Sequence, residues 1–97
     1  MPKAYWIGAR MTIKDPDKLK AYAELAGLAV SEYGGKYLAR GTKTKTFEGP
    51  NQARAVIIEF KNMETAIACH DSTNYQDALK KLDSGVERDL FVVEGME

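Results

Sequence analysis

The 97-residue chain carries 14 Lys and Arg residues against 14 Asp and Glu residues, and 44% of its residues are hydrophobic. That length and composition predict one globular domain, residues 1–97, and exclude a second one. The formal net charge of zero offers no attraction to nucleic acid or to an anionic membrane, so neither is an expected partner.

The first part of the chain predicts a strand, a helix and a second strand. Ala4–Met11 alternates with period two and carries apolar side chains on both faces. The pair Asp15-Pro16 is typical of a helix start, and Gly34-Gly35 ends that helix after about Tyr33. A short strand, Tyr37–Arg40, follows. The helix presents an apolar stripe with spacings of three and four, formed by Leu19, Tyr22, Ala23, Ala26, Ala29, Val30 and Tyr33.

The rest of the chain predicts a long connection, a strand, an interrupted helix and a final strand. Gly41–Gln52 is polar and contains a turn signal; it either reaches a neighbouring subunit, folds over a site or is simply a mobile loop. The strand Ala55–Phe60 comes next. Asn62 is predicted to cap a second helix and Ser72 a third, before the last strand, Leu90–Val93. The predicted inward positions are Met63, Ala66, Ile67 and His70 on the second helix, and Tyr75, Ala78, Leu79 and Leu82 on the third.

These elements predict an α+β fold of the ferredoxin-like βαββαβ type. Two strand-helix-strand units joined by a hairpin form a four-stranded antiparallel sheet of order 4-1-3-2, with the helices on one face. At least three of the strands are apolar on both faces, and the helices can cover only one of them. The other face therefore needs a second sheet, and another copy of the chain is the simplest source. The sequence thus predicts a homodimer that pairs as a dimeric α/β barrel.

Five short motifs occur in order along nearly the whole chain: Ala4-Tyr5-Trp6-Ile7, the run from Tyr33 to Gly41, Val56-Ile57-Ile58-Glu59-Phe60, Ser72 with Tyr75-Gln76, and Val93-Glu94-Gly95. Together they resemble the domain-of-unknown-function 1330 (DUF1330) family. The resemblance implies a ferredoxin-like domain that pairs into a dimeric α/β barrel, and it implies no particular reaction. The chain departs from the family pattern near Leu82, where relatives often carry an arginine, so an anion site built on that arginine would be missing here.

His70 is the only histidine of the chain and its best candidate for a general base. The alternative is a half-buried helix histidine bonded to a backbone carbonyl. Cys69 is expected to be a buried small hydrophobe, because adjacent helix side chains diverge by about 100° and do not form a Cys-His pair. One histidine is weak evidence for a haem ligand and one cysteine excludes a cysteine cluster, so no metal and no cofactor is expected.

Two charges, Arg10 and Glu59, lie among apolar residues on strands that should be neighbours. They are candidates for a cross-strand ion pair, or for a binding site in which Arg10 or Arg40 holds a carboxylate or an enolate. Arg40 lies at a strand end beside a glycine, where a side chain can reach a ligand, so it ranks first among the binding candidates.

A pocket between helix and sheet, lined by Trp6, Tyr22 and Tyr33, would suit a flat apolar or phenolic ligand with a few polar anchors. Three functions stay open: a cofactor-independent enzyme acting on a small aromatic or carboxylate-bearing molecule through His70 and Arg40, a non-catalytic small-molecule-binding protein, and a purely structural dimer. With no signal segment and no apolar run of spanning length in the sequence, a cytoplasmic location is expected.

Overall fold

The computed structural model describes residues 2–96. Its elements in chain order are β1 (Ala4–Ile13), α1 (Pro16–Glu32), β2 (Lys36–Gly41), β3 (Ala55–Phe60), α2 (Met63–Asp71), α3 (Thr73–Leu82) and β4 (Val86–Glu94). The strands form one sheet of order β2-β3-β1-β4, and every neighbouring pair is antiparallel. This is the predicted order 4-1-3-2 read from the other edge, so the α+β ferredoxin-like fold is confirmed. The largest boundary difference is in β4, which begins four positions before its predicted start at Leu90.

The predicted helix boundaries follow from capping. The Asp15 side chain accepts hydrogen bonds from two amides in the first turn of α1, at 3.1 and 3.2 Å. Gly34 ends the same helix with a φ of 71°, a left-handed conformation that suits glycine. Asn62 accepts the amide of Thr65 at 2.8 Å, and Ser72 accepts the amide of Tyr75 at 3.2 Å. The Ser72 cap therefore separates α2 from α3, as the sequence predicts.

The core lies between the helices and one face of the sheet. Register places Trp6 of β1 between Ile58 of β3 and Val92 of β4, and this row faces the helices. The largest fully buried side chains include Tyr75 and Phe60. Ile67, predicted to point inward from α2, is 49% exposed, whereas Ala66, also predicted to point inward, and Cys69 are fully buried as expected. The buried core consists of Ala4, Trp6, Tyr22, Ala26, Ala29, Val30, Ile58, Phe60, Ala66, Cys69, Tyr75, Ala78 and Leu82.

The other face of the sheet is apolar and open. Register aligns Ile7 with Ile57 on one side and with Phe91 on the other, and it aligns Tyr5 with Val93. These residues alternate with the buried row, so they lie on the face away from the helices. Phe91 is 49% exposed and Val93 is 45% exposed. The two-faced strands inferred from the sequence are therefore present, and residues 2–96 cover only one of the two sheet faces.

A bulge in β1 changes which residues face the helices near the end of that strand. The pairing of β1 with β4 shifts between Ala9 and Thr12, and Arg10 within it has a φ of 50°. The Arg10 amide donates to Oε1 of Gln52 at 2.7 Å, which ties the connection between β2 and β3 to the bulge. Beyond the bulge, Met11 is 6% exposed and faces the helices.

Within residues 2–96, no helix has the length and apolar character needed to cross a membrane.

Candidate functional site

A small cavity lies between α1, α3 and the sheet, with a free volume of about 50 Å³. Its floor is apolar and includes Gly8, Met11, Val56 and Leu90. Typical ligand pockets have about 300–1000 Å³, so a ligand larger than a few atoms requires its walls to move outward. The polar and aromatic residues of its wall are Trp6, Tyr22, Tyr37, Tyr75, Arg40, Arg54 and Arg88.

Two tyrosines and an arginine form a hydrogen-bonded group at the wall of this cavity. The hydroxyl oxygens of Tyr22 and Tyr75 are 2.7 Å apart. Nη2 of Arg88 donates to the Tyr22 hydroxyl at 3.1 Å and to the Tyr75 hydroxyl at 3.3 Å. The Arg88 guanidinium also lies 4.8 Å from the centre of the Tyr22 ring, within the range of a cation–π contact. We call these three residues the tyrosine–arginine group.

The protonation states of this group follow from burial. Burial raises the pKa of Tyr75 well above its ordinary value, and the neighbouring Tyr22 raises it further. Tyr75 therefore keeps its proton at neutral pH. Burial by itself lowers the pKa of Arg88, but the oxygens of Tyr22 and Tyr75 outweigh it, and the net pKa is raised. Arg88 is thus a permanent cation at the cavity wall.

The other two arginines of the cavity lie at the base of the connection between β2 and β3. Arg40 is the penultimate residue of β2, and its guanidinium carbon lies 4.5 Å from the centre of the Tyr37 ring. Burial raises the pKa of Tyr37, although nearby Arg40 partly opposes this effect. Arg54 precedes β3, and its Nε atom is buried without a hydrogen-bond partner among residues 2–96. A buried donor of this kind costs free energy until something accepts its proton.

No negative charge compensates these three arginines in the described part of the chain. No Asp or Glu lines the cavity, and the ion pairs found between residues 2 and 96 contain none of the three. A concave site with three guanidinium groups and aromatic walls can bind an anion with a flat apolar body.

His70 lies outside this cavity. Its Nδ1 is 3.0 Å from Oδ1 of Asp71, and its ring centre is 5.3 Å from that of Tyr75. The side chain is 44% exposed and lines a separate groove of about 130 Å³. Trp6 lines both spaces, so the indole stands between His70 and the arginines.

Cys69 is fully buried. Burial raises the pKa of its thiol to about 11, and Glu32 adds to this effect. The thiol is therefore protonated at neutral pH and is not a nucleophile. In the described part of the chain, no group of three or more His, Cys, Asp or Glu side chains could hold a metal ion.

The predicted ion pair between Arg10 and Glu59 is wrong. Arg10 pairs with Asp89 of β4 at 2.6 Å, and Glu59 pairs with Lys3 at 3.2 Å. Register places Glu59 opposite Tyr5, five positions from Arg10, and this offset amounts to about 17 Å along a strand. The strands are neighbours as predicted, but the register keeps the two charges apart.

The family model for a domain of unknown function, DUF1330, matches residues 3–96. The chain belongs to this family. The resemblance inferred from the five sequence motifs is thereby confirmed, and it still assigns no reaction to this DUF1330 chain. A comparison of the sequence with curated proteins found no match.

Solved structures share the fold at low sequence identity. A protein of unknown function from Rhodopseudomonas palustris has a TM-score of 0.77 at 17% identity, covering 99% of this chain and 84% of that one. A dimeric protein of unknown function with a ferredoxin-like fold from Bacteroides fragilis has a TM-score of 0.60 at 16% identity, covering 96% of each chain. SnoaB, a cofactor-independent oxygenase from Streptomyces nogalater, has a TM-score of 0.61 at 4% identity, covering 100% of this chain and 96% of that one. At these identities the likeness shows a common fold alone.

The cavity brings together three of the residues that the sequence of this DUF1330 chain singles out: Trp6, Tyr22 and Arg40. The other four, Tyr33, Arg10, Glu59 and His70, do not line it. Tyr33 instead lines an open groove with Glu32 and Lys61.

Arg54, Arg88 and Tyr75 line the cavity but are not among the predicted site residues. Strand alternation could have indicated Arg88. If the predicted strand is extended from Leu90 back to Val86, Arg88 lies on the same face as Leu90 and Val92. Arg54 lies outside the strands and carries no comparable local signal.

Proposed function

We propose that this chain binds a small planar carboxylate in the cavity between α1, α3 and the sheet. The observation that carries the proposal is the buried, unpartnered Nε of Arg54, in a cavity that also contains Arg40 and Arg88 and no acidic side chain. A carboxylate accepts two parallel hydrogen bonds from a guanidinium, and such charge-assisted bonds are about twice as strong as neutral ones. The ligand would supply the acceptor that residues 2–96 lack.

The shape and polarity of the walls favour a flat molecule. Trp6, Tyr22 and Tyr37 offer aromatic surface, and the floor between them is apolar. An aromatic ring that packs on these side chains buries its own apolar area while its carboxylate meets the arginines. Because Arg40 is exposed and sits at the end of an edge strand, its outward movement would enlarge the cavity to the size of one ring.

Catalysis is a separate part of the proposal. The fold likeness to a cofactor-independent oxygenase supports an enzyme that acts on the bound acid without a cofactor. Arg40 lines the cavity and would contact such a substrate, whereas His70 lies beyond Trp6. A catalytic role for His70 therefore requires a substrate that extends into the second groove. The expected cytoplasmic location stays a prediction.

The intrinsic fluorescence of Trp6 tests the binding proposal. Trp6 is the single tryptophan of the chain and lines the cavity, so its emission reports on occupancy. Benzoate is expected to change this emission saturably, and benzamide, a neutral molecule of the same shape, is expected to bind at least about tenfold more weakly. Equal affinity for the two molecules, or no saturable response to benzoate, would refute the proposal.

A matched pair of variants locates the bound carboxylate. Arg54→Gln is expected to weaken benzoate binding by about tenfold or more and to leave benzamide binding unchanged. Arg10→Gln is the control, because Arg10 is the chain's remaining arginine and pairs with Asp89 outside the cavity. Equal weakening by both substitutions would point to a general effect of net charge.

We also propose that the open sheet face pairs with a second copy of the chain. The apolar row of Ile57, Ile7 and Phe91 crosses three strands, with Ile57 and Ile7 partly buried and Phe91 exposed, and an apolar surface of this kind marks an interaction site. A protein of the same fold is described as dimeric, which supports a homodimer here. The proposed cavity lies on the opposite face and stays accessible in such a dimer.

A further inference from the structure

The tyrosine–arginine group contains a hydroxyl proton that no residue of the described chain accepts. Tyr22 and Tyr75 each carry one hydroxyl proton, and only one of these protons can occupy the 2.7 Å contact between the two oxygens. Arg88 donates to both oxygens and accepts nothing. Whichever tyrosine donates to the other, the second proton is left over.

The cavity is where this second proton can find an acceptor. Tyr75 is fully buried and Tyr22 is 9% exposed, so neither hydroxyl reaches bulk water freely. Both residues line the cavity. The site therefore offers an O–H donor beside the permanent positive charge of Arg88, which suits an oxygen that carries negative charge.

This donor lies on the other side of the cavity from the carboxylate site. Arg88 belongs to β4, whereas Arg40 belongs to β2 and Arg54 directly precedes β3. In the order β2-β3-β1-β4, β3 and β4 are separated by β1, which amounts to about 10 Å at ordinary strand spacing. Gly8 of β1 lies in the apolar floor between them. The two donor sites thus lie on opposite sides of the cavity, and an aromatic ring fits between them once the walls move outward.

We propose that Tyr22, Tyr75 and Arg88 bind a second oxygen of the ligand, and that the ligand class is aromatic carboxylates with a hydroxyl group across the ring. This inference rests on the proposed function, because it assumes that the carboxylate binds at Arg40 and Arg54. The hydroxyl oxygen binds as the oxyanion, and its proton passes to bulk water when the complex forms. The leftover tyrosine proton and the Arg88 charge stabilise that oxyanion.

The first experiment compares 4-hydroxybenzoate with benzoate by Trp6 fluorescence. In the unmodified protein, the added hydroxyl is expected to strengthen binding by about tenfold. In the double variant Tyr22→Phe/Tyr75→Phe, which keeps both rings and removes both hydroxyls, the two probes are expected to bind within about twofold of each other. Arg10→Gln is expected to retain the tenfold difference, and melting temperatures verify that each variant is folded.

The second experiment reads the ionisation of the bound phenol. Nitrophenolate absorbs visible light and the neutral nitrophenol does not, so 4-hydroxy-3-nitrobenzoate reports its own protonation. Binding is expected to lower the pKa of its phenol by about one unit or more, because the oxyanion lies beside a cation. Arg88→Met removes that cation and is expected to abolish the shift.

The outcomes separate this inference from the proposed function. If benzoate binds but the hydroxyl adds no affinity and the nitrophenol pKa does not fall, the second-oxygen site is refuted and the carboxylate site stands. If the tenfold advantage persists in the double phenylalanine variant, the hydroxyl binds elsewhere and the inference is wrong. If neither benzoate nor 4-hydroxybenzoate binds, the proposed function fails as well.

Discussion

Replacing Arg54 with methionine is expected to stabilise the free protein and to weaken its ligand binding. The Nε of Arg54 is a buried donor without a partner among residues 2–96, and such a group costs about 1–3 kcal/mol. Methionine keeps most of the aliphatic length and removes the donor. Because Arg54 is only partly buried, we expect the low end of the range, a gain of about 1 kcal/mol.

Thermal unfolding with and without benzoate measures both effects of Arg54→Met. For a domain of this size, about 1 kcal/mol raises the melting temperature by about 4–8 °C. Saturating benzoate, at about 100 times its Kd, is expected to stabilise the unmodified protein by about 2.7 kcal/mol and the variant much less. All scans use one protein concentration, because a dimer's melting temperature depends on it.

The control and the refuting results for Arg54→Met are distinct. Arg10→Met removes an exposed ion pair with Asp89, which contributes about 0–1 kcal/mol, so its melting temperature should stay level or fall. A clear loss of stability in Arg54→Met would mean that the guanidinium has a structural partner. Undiminished stabilisation of Arg54→Met by benzoate would mean that the carboxylate binds elsewhere.

Three further substitutions or reactions test the cavity, the open face and the buried thiol. A Cβ atom at Gly8 would meet its nearest neighbours at 3.8–3.9 Å, so Gly8→Ala should fold normally. Gly8→Val should also fold, but it should lose the change in Trp6 emission on adding benzoate, because the larger side chain fills the cavity floor. Phe91→Glu on the open face should convert a dimer to a monomer in size-exclusion chromatography with light scattering. The control Leu28→Glu changes a residue that is 61% exposed on α1 and should leave the dimer intact. A dimer that survives Phe91→Glu argues against pairing through this face. Cys69 is buried, and the pKa of its thiol is raised to about 11. At pH 8 a disulfide reagent should therefore react with this thiol only after the protein is unfolded by guanidinium. Rapid reaction in the folded protein would contradict the burial of Cys69.

Local sequence signals account for the elements and for much of the core. The caps at Asp15, Asn62 and Ser72 act through amides two or three residues away, so neighbouring residues suffice to reveal them. Alternation in Ala55–Phe60 likewise marks both faces of β3 correctly. The inward position predicted for Ile67 is wrong because α2 packs on the core through Ala66 and Cys69, and at about 100° per residue Ile67 points away from that face.

The candidate site depends on contacts that no local pattern contains. Trp6, Tyr22 and Arg40 are visible in the sequence because aromatic residues and strand ends are typical of binding sites. Arg10 has the wrong predicted partner because the order of the strands does not fix their register: Glu59 lies opposite Tyr5, an odd number of positions from Arg10, so an Arg10–Glu59 register would turn the apolar side chains of one strand to the wrong face. Arg88 reaches the cavity because β4 begins at Val86. The apolar run Leu90–Val93, from which the strand was predicted, does not show this earlier start.

The sequence by itself determined the order and type of the elements, the ferredoxin-like topology, the family, and the presence of apolar residues on both sheet faces. Each of these follows from side-chain periodicity or from capping groups within a few residues. The tertiary structure decided the strand registers, the bulge at Arg10 and the assembly of one cavity from Arg40, Arg54 and Arg88. These arginines come from separate strands or strand ends, so only long-range pairing sets the distances between them. The uncompensated charge they share is therefore a property of the folded chain, even though the net charge of the sequence is zero.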